Sequence, residues 1–400
     1  MRALLLTQHF PPEITAASFR LGPIAEALAT RGHEVEVICP VPNHPSGTVE
    51  QPFAGRLLVR RSRDGLRIRY VWIYARPEKT LRTRAAAYGS YALAATILGT
   101  VRGRVDLVLA SSPPLSVGAA GLAAALRHRC PFAFDVRDLW PDSAVDLGEL
   151  PPGGAAAAMS WLERRLYGHA DLVLTPNDAF ADVIRSRSSG TPVEVVPNGT
   201  TPDWLAAGKA EVARGEVGFP EDTFVLAYAG NVGLAHALEE AIEASGLLDD
   251  DFRLVIIGAG PRRGSLEKRA GRLPPGRVEF RDLMSSADAA RHLRAADAVL
   301  VAERQTRTVS AKLYDCCAIG RPLIAVCGGE LDRVVRNAGV GVPVPLGDPP
   351  ALAAAVAKLR SEPDLRDRLV ERARAYAAEH LRDGQAEQLA ERLERITSTS

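Results

Sequence analysis

The sequence predicts an α/β protein made of two lobes, each a doubly wound parallel sheet covered by helices. The 400-residue chain is 46% hydrophobic and 24% charged, so it is long enough for two or three domains with separate cores. In each half, short aliphatic runs alternate with amphipathic segments of helical length, a pattern typical of parallel sheets. The two series meet at 197–202, where two prolines and an Asn-Gly pair favour a stiff connection.

The first series predicts a lobe over 1–200. A β-hairpin is expected within 57–73, because two β-rich runs flank Asp64-Gly65. This antiparallel hairpin would be an insertion added to the parallel sheet. The other strands are expected at 3–7, 34–39, 107–110, 132–136 and 172–174, and the helices at 18–31, 115–127 and 155–168.

One segment of this lobe, 85–101, holds 17 uncharged residues between flanking arginines. A spanning helix needs about 20 strongly apolar residues, whereas this run is mostly Ala, Gly, Ser, Thr and Tyr. We therefore expect a helix packed in the first lobe and reject a spanning helix. The alternative is a helix that lies in a membrane interface.

The second series predicts a lobe over 201–380. Its strands are expected at 225–229, 253–257, 278–280, 298–301 and 322–326, and its helices at 235–245 and 310–319. From 350 onward the pattern is helical. Residues 381–400 form a C-terminal helix that can cross back to the first lobe, and the Glu/Arg-rich stretch 371–395 is interpreted as a solvated helix face.

The overall composition restricts partner and compartment. Lys plus Arg, 49, almost cancels Asp plus Glu, 48, so nucleic acid is an unfavoured main partner and a small molecule is favoured. The five cysteines show no Cys-x-x-Cys spacing, and the opening apolar run is too short for a secretory signal, so a cytoplasmic location is expected. No two of the eight histidines have metal-ligand spacing, and no metal or other cofactor is predicted.

The strongest chemical motif lies at 299–326, where a strand ends at Glu303 and a helix starts near Ser310. Ligands bind beyond the carboxyl ends of parallel strands, where helix N-termini offer free amides and positive potential. Lys312 adds a full charge there, and Asp315, three positions on along the same helix face, offers two oxygens to a diol. The set predicts a site for the diphosphate and ribose of a nucleotide. The alternative is a capped helix with an ordinary surface lysine and aspartate.

This segment, from Glu303 through Ser310-x-Lys312-x-x-Asp315 to Gly320-Arg-Pro-Leu-Ile-Ala, resembles the donor-binding segment of the family 4 retaining glycosyltransferases. Their GT-B fold consists of two Rossmann-like lobes facing across a cleft. The branch that acts in colanic-acid and O-antigen type surface polysaccharide assembly is the most similar. Motifs in the family's order cover nearly the whole chain: Pro11-Pro12-Glu13, Gly32-His-Glu-Val, Asp135-Val-Arg-Asp-Leu-Trp-Pro, Val196-Pro-Asn-Gly, Ala229-Gly-Asn-Val-Gly-Leu and Ile257-Gly-Ala-Gly-Pro.

The resemblance implies that 1–200 is the acceptor-binding lobe and 201–380 the nucleotide-sugar-binding lobe. Lys312 and the amides near Leu313 would face the diphosphate, and Asp315 would take the ribose hydroxyls. The loop at Arg281 would pass near the base. The implied site residues are Lys312, Glu303, Asp138 and Arg137 as catalytic; Gly230, Asn231, Gly258, Arg281, Ser310, Leu313 and Asp315 as donor-binding; and Glu13, His9, Arg20 and Trp140 as acceptor-binding.

The chain departs from the family pattern at several of these positions. Eleven residues instead of seven separate Glu303 from the second acidic residue, which is Asp315 where Glu is usual. Asn231 and His236 stand where many relatives carry Arg and Lys, so the diphosphate charge is expected to rest mainly on Lys312. In the first lobe, Thr15-Ala-Ala replaces the usual Gly-Gly, and Arg precedes Asp138 where relatives have His.

The resemblance implies retaining transfer of a hexosyl or N-acetylhexosaminyl group, with the leaving diphosphate helping to take the acceptor proton. The donor would be a nucleotide-diphosphate sugar, UDP favoured, and the acceptor a saccharide, a lipid-linked saccharide or a natural product. Peripheral contact with the inner membrane face fits a lipid-linked acceptor. The alternatives are a sugar-nucleotide epimerase of the same fold and a non-catalytic sugar-nucleotide-binding protein. An NAD-dependent oxidoreductase is a minor alternative, because Gly258, Gly260 and Gly264 approach a dinucleotide fingerprint.

Overall fold

The computed structural model describes residues 1–13, 15–44, 46–78, 80–98, 103–188 and 190–398. These residues form two compact units, one of Met1–Pro197 with Arg382–Ser400 and one of Asn198–Leu381. The first division falls inside the predicted connection at 197–202, three residues before the boundary expected at 200. The second falls one residue after the expected start of the C-terminal helix.

The first unit is built on an eight-stranded sheet within its described residues, in the order β3-β4-β2-β1-β5-β6-β7-β8. Neighbouring strands are parallel except for the antiparallel pair β3 and β4. The strands are β1 (Arg2–Thr7), β2 (Glu34–Pro40), β3 (Leu58–Arg63), β4 (Leu66–Val71), β5 (Leu107–Ser112), β6 (Phe132–Val136), β7 (Leu172–Thr175) and β8 (Val193–Val195).

The helices of this unit follow the strands and cover the sheet, which explains why its central strands are continuous apolar runs. Every residue of β5 and β6 is buried. The helices are α1 (Ala16–Thr30), α2 (Leu81–Ile97), α3 (Leu115–His128), α4 (Asp142–Asp146), α5 (Gly154–His169) and α6 (Asp178–Arg187).

The predicted hairpin is confirmed as β3 and β4, joined at Asp64-Gly65. Both turn residues have positive φ, 51° and 79°, as the tight turn of a two-residue hairpin requires. Because β4 also pairs in parallel with β2, the hairpin extends the parallel sheet at one edge.

The uncharged segment 85–101 is helical over most of its length, as part of α2, and residues 99–101 lie outside the described residues. Tyr91 is fully buried, and its hydroxyl donates to the Ile38 carbonyl at 2.9 Å, which anchors the helix to β2. In the described parts of the chain we find no helix with the length and apolar character needed to cross a bilayer.

The second unit has a six-stranded parallel sheet within its described residues, in the order β11-β10-β9-β12-β13-β14. Its strands are β9 (Phe224–Ala229), β10 (Phe252–Ile257), β11 (Val278–Arg281), β12 (Ala298–Ala302), β13 (Leu323–Val326) and β14 (Val342–Val344). Its helices are α7 (Pro202–Lys209), α8 (Leu238–Ser245), α9 (Arg263–Ala270), α10 (Ser286–Ala295), α11 (Ala311–Ile319), α12 (Gly329–Ala338), α13 (Pro349–Ser361) and α14 (Pro363–Glu379), with a 3₁₀ turn at Arg214–Val217.

The last helix, α15 (Arg382–Ser398), packs in the first unit. Its buried face, which includes Leu389 and Leu393, joins the core of that unit. Glu394 accepts from Arg31 at 2.7 Å and contacts His33 at 2.6 Å, and these hydrogen bonds lower the pKa of Glu394 to about 2. The C-terminal helix is therefore part of the first unit.

Candidate functional site

The polar end of α11 lies at the carboxyl side of β12, where the sequence predicts a phosphate site. Ser310 occupies the N-cap position of α11, and its side chain makes no capping hydrogen bond. The first turn of a helix presents unsatisfied amides and the positive end of its dipole. Lys312 lies in this first turn, so a full positive charge is added to the partial one.

The Lys312 ammonium group is held by a buried tyrosine. Its Nζ donates to the Tyr228 hydroxyl at 2.6 Å and lies 3.9 Å from the centre of the Tyr228 ring. The same hydroxyl donates to the Asn231 carbonyl at 2.6 Å. Tyr228 on β9 therefore fixes both the lysine and the loop that follows its own strand.

The absence of a side chain at Gly230 leaves space for the Lys312 ammonium group. A Cβ at Gly230 would lie 2.7 Å from both Cε and Nζ of Lys312, and the φ of Gly230 is 149°, a conformation that other residues rarely adopt. The lysine therefore packs directly on the backbone of the loop after β9, and that packing requires glycine.

Burial weakens the hold of Lys312 on its proton. It lowers the pKa of Lys312 to about 8, although the nearby charge of Glu303, a residue only 3% exposed, opposes this effect. Burial and, second, the Lys312 charge lower the pKa of His236 to about 4. His236 is therefore neutral at neutral pH, and its Nδ1 lies 3.1 Å from the Ala302 carbonyl. Of these two groups, only Lys312 carries positive charge.

The loops after β9 and β10 touch through their glycines. A Cβ at Gly258 would lie 1.9 Å from the Gly230 carbonyl oxygen, and one at Gly260 would lie 2.2 Å from the Val232 carbonyl oxygen. The Gly258-x-Gly260 spacing that also fits a dinucleotide fingerprint is thus required by the contact between the two loops.

The arginine expected at the donor site, Arg281, has its side chain bound elsewhere. Its guanidinium donates to Glu279 at 2.6 Å and to the Val217 carbonyl at 2.5 Å, and it lies over the Phe219 ring at 4.8 Å. Only the backbone of Arg281 adjoins the glycine loops, because its carbonyl accepts from the Gly258 amide at 3.1 Å. The side chain has a structural role, and a contribution to the donor site would come from the backbone of this loop.

Two further residues of α11 already have partners within the unit. Asp315 accepts from the Thr200 hydroxyl at 2.8 Å. The Leu313 amide donates to the Ser310 carbonyl at 3.1 Å, and the Leu313 side chain is fully buried. A diphosphate at the start of α11 could therefore use the Leu313 amide only as a shared donor, which is a weaker role than the sequence implies.

Among the polar clusters in the described part of the first unit, two contain residues that the sequence predicted for the site, and one of these joins His9 to Glu13. Glu13 contacts His9 Nδ1 at 2.6 Å and accepts from the amides of Asn43 and His44 at 2.7 and 2.9 Å. Burial of Glu13 raises its pKa, but these hydrogen bonds outweigh that effect, and the pKa is lowered. The carboxylate therefore stays ionised and orients the His9 ring.

The second cluster is built around Asp135 at the end of β6. This fully buried carboxylate accepts from Arg20 at 3.0 Å and from Ser111 at 2.8 Å. Arg137 donates to the Ser111 hydroxyl at 2.9 Å. Burial raises the pKa of the next carboxyl, Asp138. Arg20 and Arg137 are thus hydrogen-bonded to side chains near the carboxyl ends of the interior strands β5 and β6.

Trp140 is half-buried against the core of the first unit. The Arg84 guanidinium lies 5.9 Å from the centre of its indole ring. The position of Trp140 is therefore set by its packing against the core. In the sequence it follows Asp135 by five residues.

Tyr228 is the residue of this site that sequence reasoning missed. The available signal was a tyrosine in the otherwise aliphatic run 225–229, two residues before Gly230. Within the residues that the structure describes, His, Cys, Asp and Glu form no group of three or more that could hold a metal ion.

In a comparison with known proteins, each of the two units matches a glycosyltransferase family model. Residues 16–199 match the glycosyl transferase 4-like domain, and residues 223–362 match the glycosyltransferases group 1 model. The putative colanic acid biosynthesis glycosyl transferase WcaI of Escherichia coli (strain K12) is 24% identical over 90% of this chain and 91% of its own length. The alpha-D-kanosaminyltransferase of Streptomyces kanamyceticus is 29% identical over 53% of this chain and 57% of its own.

Among solved structures, Anabaena Alr3699/HepE in complex with UDP superposes with a TM-score of 0.73 and 16% identity, covering 99% of this chain and all of that one. At this identity the likeness shows the fold, two α/β units with parallel sheets. The protein therefore belongs to the family 4-like glycosyltransferases of GT-B fold.

Proposed function

We propose that this glycosyltransferase moves a sugar, with retention of anomeric configuration, from a UDP-sugar to a saccharide, lipid-linked saccharide or natural-product hydroxyl. The single observation that carries the proposal is the Lys312 ammonium group at the start of α11, held by the neutral Tyr228 hydroxyl at 2.6 Å. A cation at a helix N-terminus is suited to bind a diphosphate.

The proposed donor half-site lies in the second unit. Lys312 binds the diphosphate, the loop at Gly230 and Asn231 approaches its oxygens, and Asp315 meets the ribose. The structural neighbour HepE was solved in complex with UDP, which supports a uridine nucleotide here. The diphosphate of a UDP-sugar carries two negative charges at neutral pH, and the Lys312 charge with the positive end of the α11 dipole offsets part of them.

The proposed chemistry needs no cofactor and no metal ion. As the bond between the sugar C1 and the diphosphate oxygen breaks, negative charge builds on the leaving group, and Lys312 with the α11 dipole stabilises it. The acceptor oxygen forms the new bond to C1, and its proton passes to the departing diphosphate. The enzyme acts by positioning and by electrostatics, without a covalent intermediate.

The proposed acceptor half-site lies in the first unit, at the cluster of His9 and Glu13 and near Trp140. The relative WcaI is a putative glycosyl transferase of colanic acid biosynthesis, which supports a saccharide or lipid-linked saccharide. The kanosaminyltransferase supports a natural-product acceptor as the second possibility. A cytoplasmic location with peripheral contact at the inner membrane face goes with the lipid-linked choice.

Product analysis tests the function. The protein is first screened for thermal stabilisation by UDP-, GDP- and dTDP-sugars, and the stabilising donor is then incubated with candidate acceptors. A new α-glycoside from an α-linked donor, identified by the anomeric coupling constant in proton NMR, is the expected result. A β-glycoside refutes retention, an altered free sugar nucleotide indicates epimerisation, and binding without turnover on a broad acceptor panel indicates a binding protein.

A further inference from the structure

A cavity of about 500 Å³ lies in the first unit, beside the carboxyl ends of β2 and β4. Three segments line it: the loop that starts at Val41, the turn that includes Phe53 and Arg56, and the stretch from Trp72 to Pro77. Small-molecule sites fall in the range of about 300–1,000 Å³, so the cavity is large enough for a saccharide.

The charged side chains that line this cavity are arginines, and the carboxylate of Glu78, just outside the lining, acts electrostatically on one of them, Arg76. Arg56 and Arg76 line it, and its described lining includes no Asp or Glu. Neither arginine lies within ion-pair distance of a carboxylate in the part of the chain that the structure describes, whereas many other arginines of this protein do. Arginine binds carboxylates and phosphates in a bidentate manner, so the pair favours an acidic ligand.

The walls of the cavity are aromatic. Trp72 is 40% exposed, and the Arg76 guanidinium lies 5.1 Å from the centre of the Tyr74 ring. Phe53 is fixed from behind by Tyr70, with ring centres 4.9 Å apart. Flat apolar faces beside fixed cations suit a ligand that has both an apolar ring face and an acidic group.

The loop over this cavity also builds the cluster of His9 and Glu13. The amides of Asn43 and His44 donate to Glu13, while Gly47 lies so close to the Arg76 backbone that a Cβ would be 2.1 Å from the Arg76 carbonyl oxygen. One short loop therefore contacts both the cavity and the proposed acceptor half-site.

We propose that this cavity binds the acidic part of the acceptor, a saccharide that carries a carboxylate or phosphate group. Arg56 and Arg76 bind the acidic group, and Trp72 and Tyr74 lie against a sugar ring. The inference rests on the proposed function for the identity of the ligand as acceptor. The binding itself is independent of transfer.

Ligand binding at this cavity is measured on the full chain labelled with 5-fluorotryptophan, in which the Trp72 ¹⁹F resonance is assigned by its loss in Trp72→Phe. The probes are methyl glucuronide, glucose 6-phosphate and neutral methyl glucoside. The two acidic probes are expected to shift the Trp72 resonance and to bind at least about tenfold more tightly than the neutral probe. The relative response to carboxylate and phosphate tells which acidic group is preferred.

Arg56→Gln and Arg76→Gln are each expected to weaken the acidic probes by about tenfold, while Arg164→Gln, an exposed substitution on α5, leaves them unchanged. Equal binding of the neutral probe, or unchanged binding in both cavity variants, overturns the inference. So does a lack of response to all three sugars with arginine-dependent sedimentation on phosphatidylglycerol vesicles, which assigns the surface to a membrane.

A UDP titration of the same sample separates the two proposals. UDP binding without a response to the acidic sugars refutes the cavity inference alone. A response of Trp72 to the acidic sugars in a protein that does not bind UDP refutes the proposed function alone.

Discussion

The two units hold their buried cations in different ways. In the first unit, Arg20 donates to the fully buried Asp135 carboxylate, and Arg137 reaches the same group through Ser111. In the second unit, Lys312 donates to the neutral hydroxyl of Tyr228. A guanidinium bonded to a buried carboxylate is largely neutralised, and removal of either partner leaves an uncompensated buried charge. A lysine held by a phenol keeps its charge for a ligand. The difference separates structural cations from the one that we propose to be functional.

The largest effect is expected from breaking the cluster of the first unit. Asp135→Ala leaves Arg20 and Arg137 near a buried position without their carboxylate, and the free energy of unfolding should fall by about 3–5 kcal/mol. Chemical denaturation measures it. Asp182→Ala, on the exposed face of α6, is the control and should change stability much less. A loss as small as that of the control would mean that the buried pair has little structural importance.

Lys312→Ala should reduce turnover strongly and stability little. If the ammonium group faces the diphosphate, its loss costs about 2–4 kcal/mol of transition-state stabilisation, which corresponds to about 30- to 1,000-fold in rate. Lys268→Ala, on the exposed side of α9, serves as the matched control. Steady-state kinetics with the donor found by thermal shift gives the rates, and equal rates for the two variants would place Lys312 outside the site.

Changes at the residues that position Lys312 should have smaller effects. Tyr228→Phe removes the hydroxyl that links the lysine to the Asn231 carbonyl, and we expect UDP to bind about 3- to 12-fold more weakly, the equivalent of one net hydrogen bond. Gly230→Ala places a methyl group 2.7 Å from Nζ, too close for the lysine to keep its position, so it should also weaken UDP binding. Calorimetric titration measures both. Unchanged affinity in both variants would show that the position of the ammonium group does not matter.

Features of the fold that depend on local chemistry could be predicted from the sequence. Asp64-Gly65 specifies its turn directly, and the continuous apolar runs of the central strands follow from burial on both faces. The strands β8 and β14 have only three residues each, too few to show a periodicity, and α12 begins at a Gly-Gly pair that favours a loop.

The same distinction applies to the site. The place of Lys312 could be predicted because a helix start is readable from nearby residues. The role of Tyr228 could not, because it depends on how β9 packs beside α11. That the loop at Arg281 passes near the base stays a prediction, but the partners of the Arg281 side chain, Glu279 and the Val217 carbonyl, could not be predicted. The sequence alone does not show which hydrogen-bond partners an arginine side chain will have in the folded protein.

The most direct test of the central claim is the affinity for UDP and for uridine as pH rises, in the wild-type protein and in Lys312→Gln. The lowered pKa of Lys312, about 8, means that its charge is present below that pH and lost above it. Wild-type affinity for UDP should therefore fall as pH passes through about 8, while uridine, which lacks the diphosphate, should show no fall centred there. Any loss at higher pH that UDP and uridine share reports ionisation of the uracil base. Lys312→Gln should bind UDP weakly at every pH. A wild-type UDP affinity that is the same at pH 7 and pH 9.5, and equal to that of Lys312→Gln, would contradict the account.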